Sequence, residues 1–167
     1  PSEMSDRIYN VLFICTGNSA RSVIAETLMN ELGGGHFKAF SAGSHPRGEV
    51  HPLTLELLDS QGYETKGLRS KSWDEFAAPD APQMDFVFTV CDQAAGEMCP
   101  VWPGQPITAH RGFNDPAAAE GDKEEQMKVF RQVQTQIATR IRLFLSLPLE
   151  KIDRMSLQTQ LRDMGKQ

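Results

Sequence analysis

Residues 8–22 read IYNVLFICTGNSARS, and the order of events along this stretch decides the fold. Ile8 to Ile14 is a largely β-branched, aromatic and aliphatic run of strand length that stops at Cys15. Thr16-Gly17-Asn18-Ser19-Ala20 then turns the chain. From Arg21 to Leu32 the spacing of Ile24, Leu28 and Leu32 is helical, and Gly33 follows as a stop. Strand, short loop and helix in that order make the first part of a parallel βαβ unit.

The alternation continues along the chain. His36–Ser41 (HFKAFS) reads as a second strand, and His51–Gln61, with Leu53, Leu57 and Leu58, as a second helix closed by Gly62. A short helix is expected around Trp73–Phe76. Asp85–Val90 (DFVFTV) is a third strand, which again ends on a cysteine, Cys91, and Ile107–Ala109 is a short fourth. Glu124–Leu145 is the longest helical segment, striped by Met127, Phe130, Val133, Ile137, Ile141 and Phe144.

The expected architecture is α/β: a single domain over residues 8–147, with a central four-stranded parallel sheet and helices on both faces. Residues 1–7 form an N-terminal tail, in which Pro1-Ser2-Glu3 ahead of Met4 reads as an artificial remnant outside the fold argument. Residues 148–167 form a C-terminal amphipathic helical extension. In such sheets ligands bind beyond the carboxyl ends of the strands. Cys15 and Cys91 each follow a strand, so they are expected at one edge although 76 positions separate them.

Composition bounds the function. The chain has 167 residues, 40% hydrophobic and 23% charged, with a formal charge of −5 and a pI near 5.4. That balance suits neither nucleic acid nor an anionic membrane as a partner, so an anionic substrate needs a local positive pocket. No apolar run reaches the ~18 residues of a membrane span, and the N-terminus lacks a secretory pattern. Three cysteines form an odd set without an export signal, which points to a reducing, cytoplasmic setting. The four histidines have no metal-site spacing, and no metal is expected.

The loop between Cys15 and Arg21 has the makings of an oxyanion site. Successive backbone N–H groups of Thr16, Gly17, Asn18, Ser19 and Ala20 can form a nest, to which the following helix adds its N-terminal dipole. Gly17 and Asn18 are the residues suited to left-handed backbone in that turn. Arg21 offers a planar fork that matches two oxygens of a tetrahedral anion. The same field favours a thiolate at Cys15, and Ser22 is placed to donate a hydrogen bond to it. The plain alternative is a buried cysteine in an ordinary strand-to-helix turn, which leaves the Gly-Asn turn and the arginine without a reason.

C-T-G-N-S-A-R-S is similar to the Cys-x5-Arg-Ser signature of the low-molecular-weight protein tyrosine phosphatase fold, and resembles its arsenate reductase branch. Ser41-Ala42-Gly43, DFVFTVC, Cys99-Pro100 and HRGFNDP at 110–116 follow in the matching order, so the resemblance covers about residues 8–145. It implies Cys15 as nucleophile, Arg21 as oxyanion clamp and Asp115 as the acid that protonates the leaving oxygen. Phosphatases of this fold usually carry aromatic residues after the Asp-Pro, where this chain has Ala117-Ala118-Ala119.

Reduction of As(V) to As(III) takes two electrons, which a pair of thiols supplies. The resemblance implies that Cys91 attacks Cys15 to release arsenite, and that Cys99 then takes over the disulfide with Cys91. Eight residues of straight helix would hold Cys91 and Cys99 ~12 Å apart, beyond the ~7 Å that a disulfide tolerates. Residues 92–98 (DQAAGEM) are therefore expected to bend during turnover. No cofactor is expected to be bound. An external reductant, thioredoxin or glutaredoxin with glutathione, would restore the thiols, and phosphate or sulfate would act as arsenate analogues.

In some reductases of this type an asparagine, a glutamate, a serine and an aspartate surround a potassium ion. Asn18, Glu26 and Ser41 match three of them, but the aspartate's place is occupied by Leu68-Arg69-Ser70-Lys71. The expectation is that the Lys71 ammonium replaces the ion and holds Asn18 directly, with no potassium requirement; the bland reading makes Glu26 and Lys71 solvent-facing charges. The leading function is arsenate reduction in arsenic detoxification. A low-molecular-weight tyrosine phosphatase and a non-catalytic redox or oxyanion sensor are the alternatives. The C-terminal segment can pack on its own domain or on a partner, which leaves the oligomeric state open.

Overall fold

The structure, a computed structural model, describes residues 8–33, 35–77, 80–81, 84–90, 116 and 119–147, together with the backbone of 107–110. Cys91, Cys99, Asp115, the tail at 1–7 and the extension at 148–167 lie outside the described residues. The strands are β1 (Tyr9–Cys15), β2 (Phe37–Gly43), β3 (Phe86–Thr89) and β4 (Ile107–His110). The helices are α1 (Arg21–Leu32), α2 (Pro52–Ser60), α3 (Asp74–Ala77) and α4 (Lys123–Leu145).

All pairings are parallel, in the order β2-β1-β3-β4, so β1 is central and every strand ends at the same edge. The register sets Cys15 opposite Gly43 and Ile14 opposite Thr89. Val90 extends this edge by donating its N–H to the Ile14 carbonyl at 2.9 Å.

The period of two along β1 divides the core. Tyr9, Val11, Phe13 and Cys15 face a cluster with Ile24 and Leu28 of α1, Leu53 and Leu57 of α2, and Phe130, Val133, Ile137 and Ile141 of α4. Leu12 and Ile14 face the opposite side, with Ala42, Met84, Val87, Trp73 and Phe76, the last from α3. Helices thus cover both faces of the sheet, and β1 is buried on both sides, which is why its sequence is nearly continuous in apolar residues. No helix among the described residues is long and apolar enough to cross a membrane.

Caps locate the two helices that flank the site. Asp122 accepts from the Glu125 amide at 2.8 Å to start α4, where Glu124 and Glu125 also suit the helix dipole. The His51 ring accepts from the Leu53 amide at 3.1 Å to start α2, and it packs on Phe130 with ring centroids 4.9 Å apart. Phe130 is fully buried and joins α4 to the start of α2. Phe130→Ala is expected to destabilise the protein by about 3–5 kcal/mol in urea titration; a loss below about 1 kcal/mol would mean that this contact does not hold α4 in place.

Candidate active site

Residues 15–21 connect β1 to α1 at the carboxyl edge of the sheet. Five of their seven carbonyls have partners as follows, four outside the turn and that of Ala20 in the first turn of α1. The Cys15 carbonyl accepts from the Ser44 amide at 3.2 Å, Thr16 from His45 at 2.9 Å, and Gly17 from Arg47 at 3.0 Å. Gly17 also accepts from the Ser70 hydroxyl at 3.1 Å. The Ser19 carbonyl accepts from the His51 amide at 2.9 Å and from the Thr54 hydroxyl at 3.0 Å, and Ala20 from Ile24 at 2.8 Å.

No peptide among the described residues is cis, so each tethered carbonyl turns the next residue's N–H the opposite way. The amides after Cys15, Thr16, Gly17, Ser19 and Ala20 are thereby directed to the inner side of the turn. The Asn18 amide reaches the Cys15 sulfur at 3.2 Å, at the centre of that inner side. The Asn18 amide and the Ser22 hydroxyl thus meet at one thiol.

The start of α1 has the same character. No side chain caps it, its first turn carries no acidic residue, and its first residue is Arg21, which is buried. A cation at a helix N-terminus opposes the dipole, so the pairing is favourable only around a shared anion. The Arg21 Nη1 lies 3.5 Å from the Val90 carbonyl, which ties the guanidinium to the end of the third strand.

Asn18 organises the buried polar groups. Its φ of 47° is the left-handed value, which asparagine tolerates; Gly17, for which the sequence suggested the same, does not adopt it. The Lys71 backbone N–H donates to Asn18 Oδ1 at 2.8 Å, which fixes the amide's orientation. Asn18 Nδ2 then donates to Ser22 Oγ at 2.8 Å and to Ser41 Oγ at 3.0 Å. Ser22, having accepted from Asn18, is free to donate its hydrogen to Cys15 Sγ, 3.0 Å away. Ser41 donates to Glu26 Oε1 at 2.6 Å.

Two expectations about this network are corrected. The Lys71 ammonium does not hold Asn18; the lysine's backbone does, while Nζ stands 3.6 Å from Glu26 Oε1. Nor are the pair solvent-facing, since their side chains are only 9% and 15% exposed. The strand-to-loop geometry explains the exchange of roles. Lys71 runs beside the end of β2, where Gly43 donates to its carbonyl at 2.9 Å, so its amide faces the loop and its side chain turns to the carboxylate. Burial pushes the Lys71 ammonium below its ordinary range, against the opposing pull of Glu26 and with the help of the Arg69 charge.

Ser70, the Trp73 amide and Gly43 are features that sequence reasoning did not single out for this work. Ser70 and Lys71 brace the loop, and the Trp73 amide bonds the Gly43 carbonyl at 3.0 Å. A Cβ on Gly43 would lie 2.5 Å from the Thr16 carbonyl oxygen and 3.0 Å from Asn18 Cβ, so only glycine lets the loop rest on β2. The S-A-G motif carries that signal once the neighbour is known. Of the remaining candidates, Cys15, Thr16, Gly17, Asn18, Ser19, Ala20, Arg21, Ser22, Glu26, Ser41 and Lys71 are brought together. Among the described residues, no group of three His, Cys, Asp or Glu is gathered that would hold a metal.

A cysteine and an arginine on one turn, between a parallel strand and an uncapped helix, define an α/β protein of the Cys-x5-Arg class. The chain belongs to the low molecular weight phosphotyrosine protein phosphatase family, which it matches over residues 10–158. It is 37% identical over 134 residues to the arsenate reductase of Halalkalibacterium halodurans, covering 80% of this chain and 93% of that one. The arsenate reductase from Archaeoglobus fulgidus superposes with a TM-score of 0.68 at 28% identity, over 82% of this chain and 99% of that one. A thioredoxin-dependent arsenate reductase of Corynebacterium glutamicum superposes with a TM-score of 0.61 at 26% identity, over 92% of this chain and 66% of that one.

Two outcomes test this geometry. Gly43→Ala is expected to keep the far-ultraviolet circular dichroism but weaken inorganic phosphate binding by roughly tenfold or more in calorimetry; unchanged affinity would show that the loop does not need that close approach. The Lys71 ammonium, held below its ordinary 10.5 in the fold, regains that value on unfolding, so at alkaline pH the unfolded chain binds more protons. The urea midpoint of the native protein relative to Lys71→Met should therefore rise from neutral pH towards 10.5, and a flat difference would contradict the buried ammonium.

Proposed function

We propose that the chain is an arsenate reductase that turns As(V) into As(III) by a thiol–disulfide cascade, with residues 8–147 as the catalytic unit. The observation that carries this reading is the Cys15 sulfur seated among the Asn18 amide, the Ser22 hydroxyl and the α1 N-terminus. The naming of the relatives in the same family supports the choice of arsenate over a phosphate ester.

Arsenate enters as a tetrahedral anion held by the backbone amides of the loop at residues 16–20 and by the Arg21 fork. The Cys15 thiolate attacks arsenic, a sulfur–arsenic bond forms, and one oxygen leaves as water after protonation by Asp115. The Cys91 thiolate then attacks the Cys15 sulfur. A disulfide forms, the sulfur–arsenic bond breaks, and its electron pair stays on arsenic, which departs as arsenite. Cys99 attacks Cys91, Cys15 leaves as thiolate, and the Cys91–Cys99 disulfide is reduced by an external dithiol of the thioredoxin kind. Two thiols lose two electrons and one arsenic gains them.

Val90, the residue before Cys91, supports the second step. It is hydrogen-bonded to Ile14, beside Cys15, and consecutive Cα atoms are only ~3.8 Å apart. The Ser22 hydroxyl and the Asn18 amide reach the Cys15 sulfur and so steady it as the leaving group when Cys99 attacks. The Lys71–Glu26 pair supplies the charge balance beside Ser41, so no potassium ion is required. Turnover is accordingly expected to be equal in potassium and sodium chloride at matched ionic strength.

The test is arsenate-dependent NADPH oxidation, run with thioredoxin and thioredoxin reductase, and separately with glutaredoxin and glutathione. Cys15→Ser is expected to remove turnover, and Cys91→Ser to remove arsenite release while leaving phosphate binding intact. Strong turnover of p-nitrophenyl phosphate that survives Cys91→Ser, with no arsenate reduction, would establish a phosphatase instead. Arsenate consumption limited to one equivalent with either donor would establish a sensor.

A further inference from the structure

The parallel pairing of β1 with β2 does not end at Cys15 and Gly43. Ser44, His45 and Arg47 donate in order to the carbonyls of Cys15, Thr16 and Gly17, so residues 44–47 track the loop step by step. This register delivers Arg47 to Gly17, and its side chain lies on the loop there. A Cβ on Gly17 would meet Arg47 Nε at 3.0 Å, Cγ at 3.3 Å and Cδ at 3.5 Å. Gly17 is thus bare where the arginine rests, and Arg47 remains exposed to solvent. An arginine resting on Gly17 of an anion-binding turn, in a protein of net charge −5, adds positive charge beside that turn.

We propose that Arg47 is a positioning residue for the tetrahedral oxyanion: an outer guanidinium that draws the anion to the Gly17 side of the loop, where the buried Arg21 then grips it. The inference deepens the reading of this turn as an oxyanion site and rests on it. Arg21 is inaccessible and acts at contact, whereas Arg47 acts through solvent at the rim. Its contribution therefore falls as salt rises, and the charge matters more than the fork geometry.

The experiment compares reduced wild-type protein with Arg47→Gln and Arg47→Lys. Alkylation of Cys15 by anionic iodoacetate and by neutral iodoacetamide is followed by mass spectrometry of the Cys15 peptide, at low and high ionic strength, with and without inorganic phosphate. Arg47→Gln is expected to lower the iodoacetate-to-iodoacetamide rate ratio roughly three- to tenfold at low salt and much less at high salt. Arg47→Lys should restore most of the ratio, and the KM for arsenate should follow the same order with little change in kcat. Phosphate protection of Cys15 in the wild type, with a ratio that Arg47→Gln does not change, overturns the role of Arg47 and leaves the oxyanion site standing. A fall in the iodoacetamide rate as well assigns Arg47 to loop shape and overturns the electrostatic role. If phosphate does not protect Cys15 even in the wild type, the site reading and this inference fall together.

Discussion

The loop from Cys15 to Arg21 works through what happens on its outer side. Its backbone is short, and a turn of this length has no internal partner for its carbonyls. Donors from residues 44–47, His51, Thr54 and Ser70 take them up, and planar peptides then leave the amides no direction but inward. The placement of the Asn18 amide at the Cys15 sulfur is therefore a consequence of hydrogen bonds made elsewhere. Those partners belong to the fold, so binding does not have to supply the ordering of the loop.

Charge is handled with the same economy. A mildly acidic protein holds one arginine buried at an uncapped helix start and a lysine buried against Glu26, the carboxylate that accepts from Ser41. Buried ionic groups cost desolvation, and one left alone would cost more. Ser41, Asn18 and Ser22 make a continuous hydrogen-bonded line from the Glu26 carboxylate, ion-paired with the Lys71 ammonium, to the thiol, each hydroxyl having both a donor and an acceptor role. The left-handed strain at Asn18 is held by three bonds to its side-chain amide, one from Lys71, one to Ser22 and one to Ser41.

The strands and helices were readable because each reports its own burial. The nearly unbroken apolar run of β1 marks a strand covered on both faces and the stripe on α4 marks a helix covered on one, and the observed bounds lie within a residue or two of the expected ones. Cys15, Arg21 and Ser22 were readable because no other residue types do their chemistry at that spacing. Lys71 was recognised as part of the site but with the wrong atom, since a sequence displays side chains and says nothing of where a backbone amide points. Ser70, Gly43 and Arg47 were passed over for a related reason: each acts through a neighbour 22 to 53 positions away, at a contact that only the folded register creates.

By itself the sequence determined the alternation of strands and helices, the parallel sheet and the identity of the thiol and arginine at its edge. These follow from local pattern and from the chemistry of residue types. Only the tertiary structure decided which way the loop's peptides face, which residue enters the left-handed region, and that residues 44–47 and 70–73 brace the turn. Peptide orientation depends on hydrogen-bond partners that are distant along the chain, and local preference does not specify them.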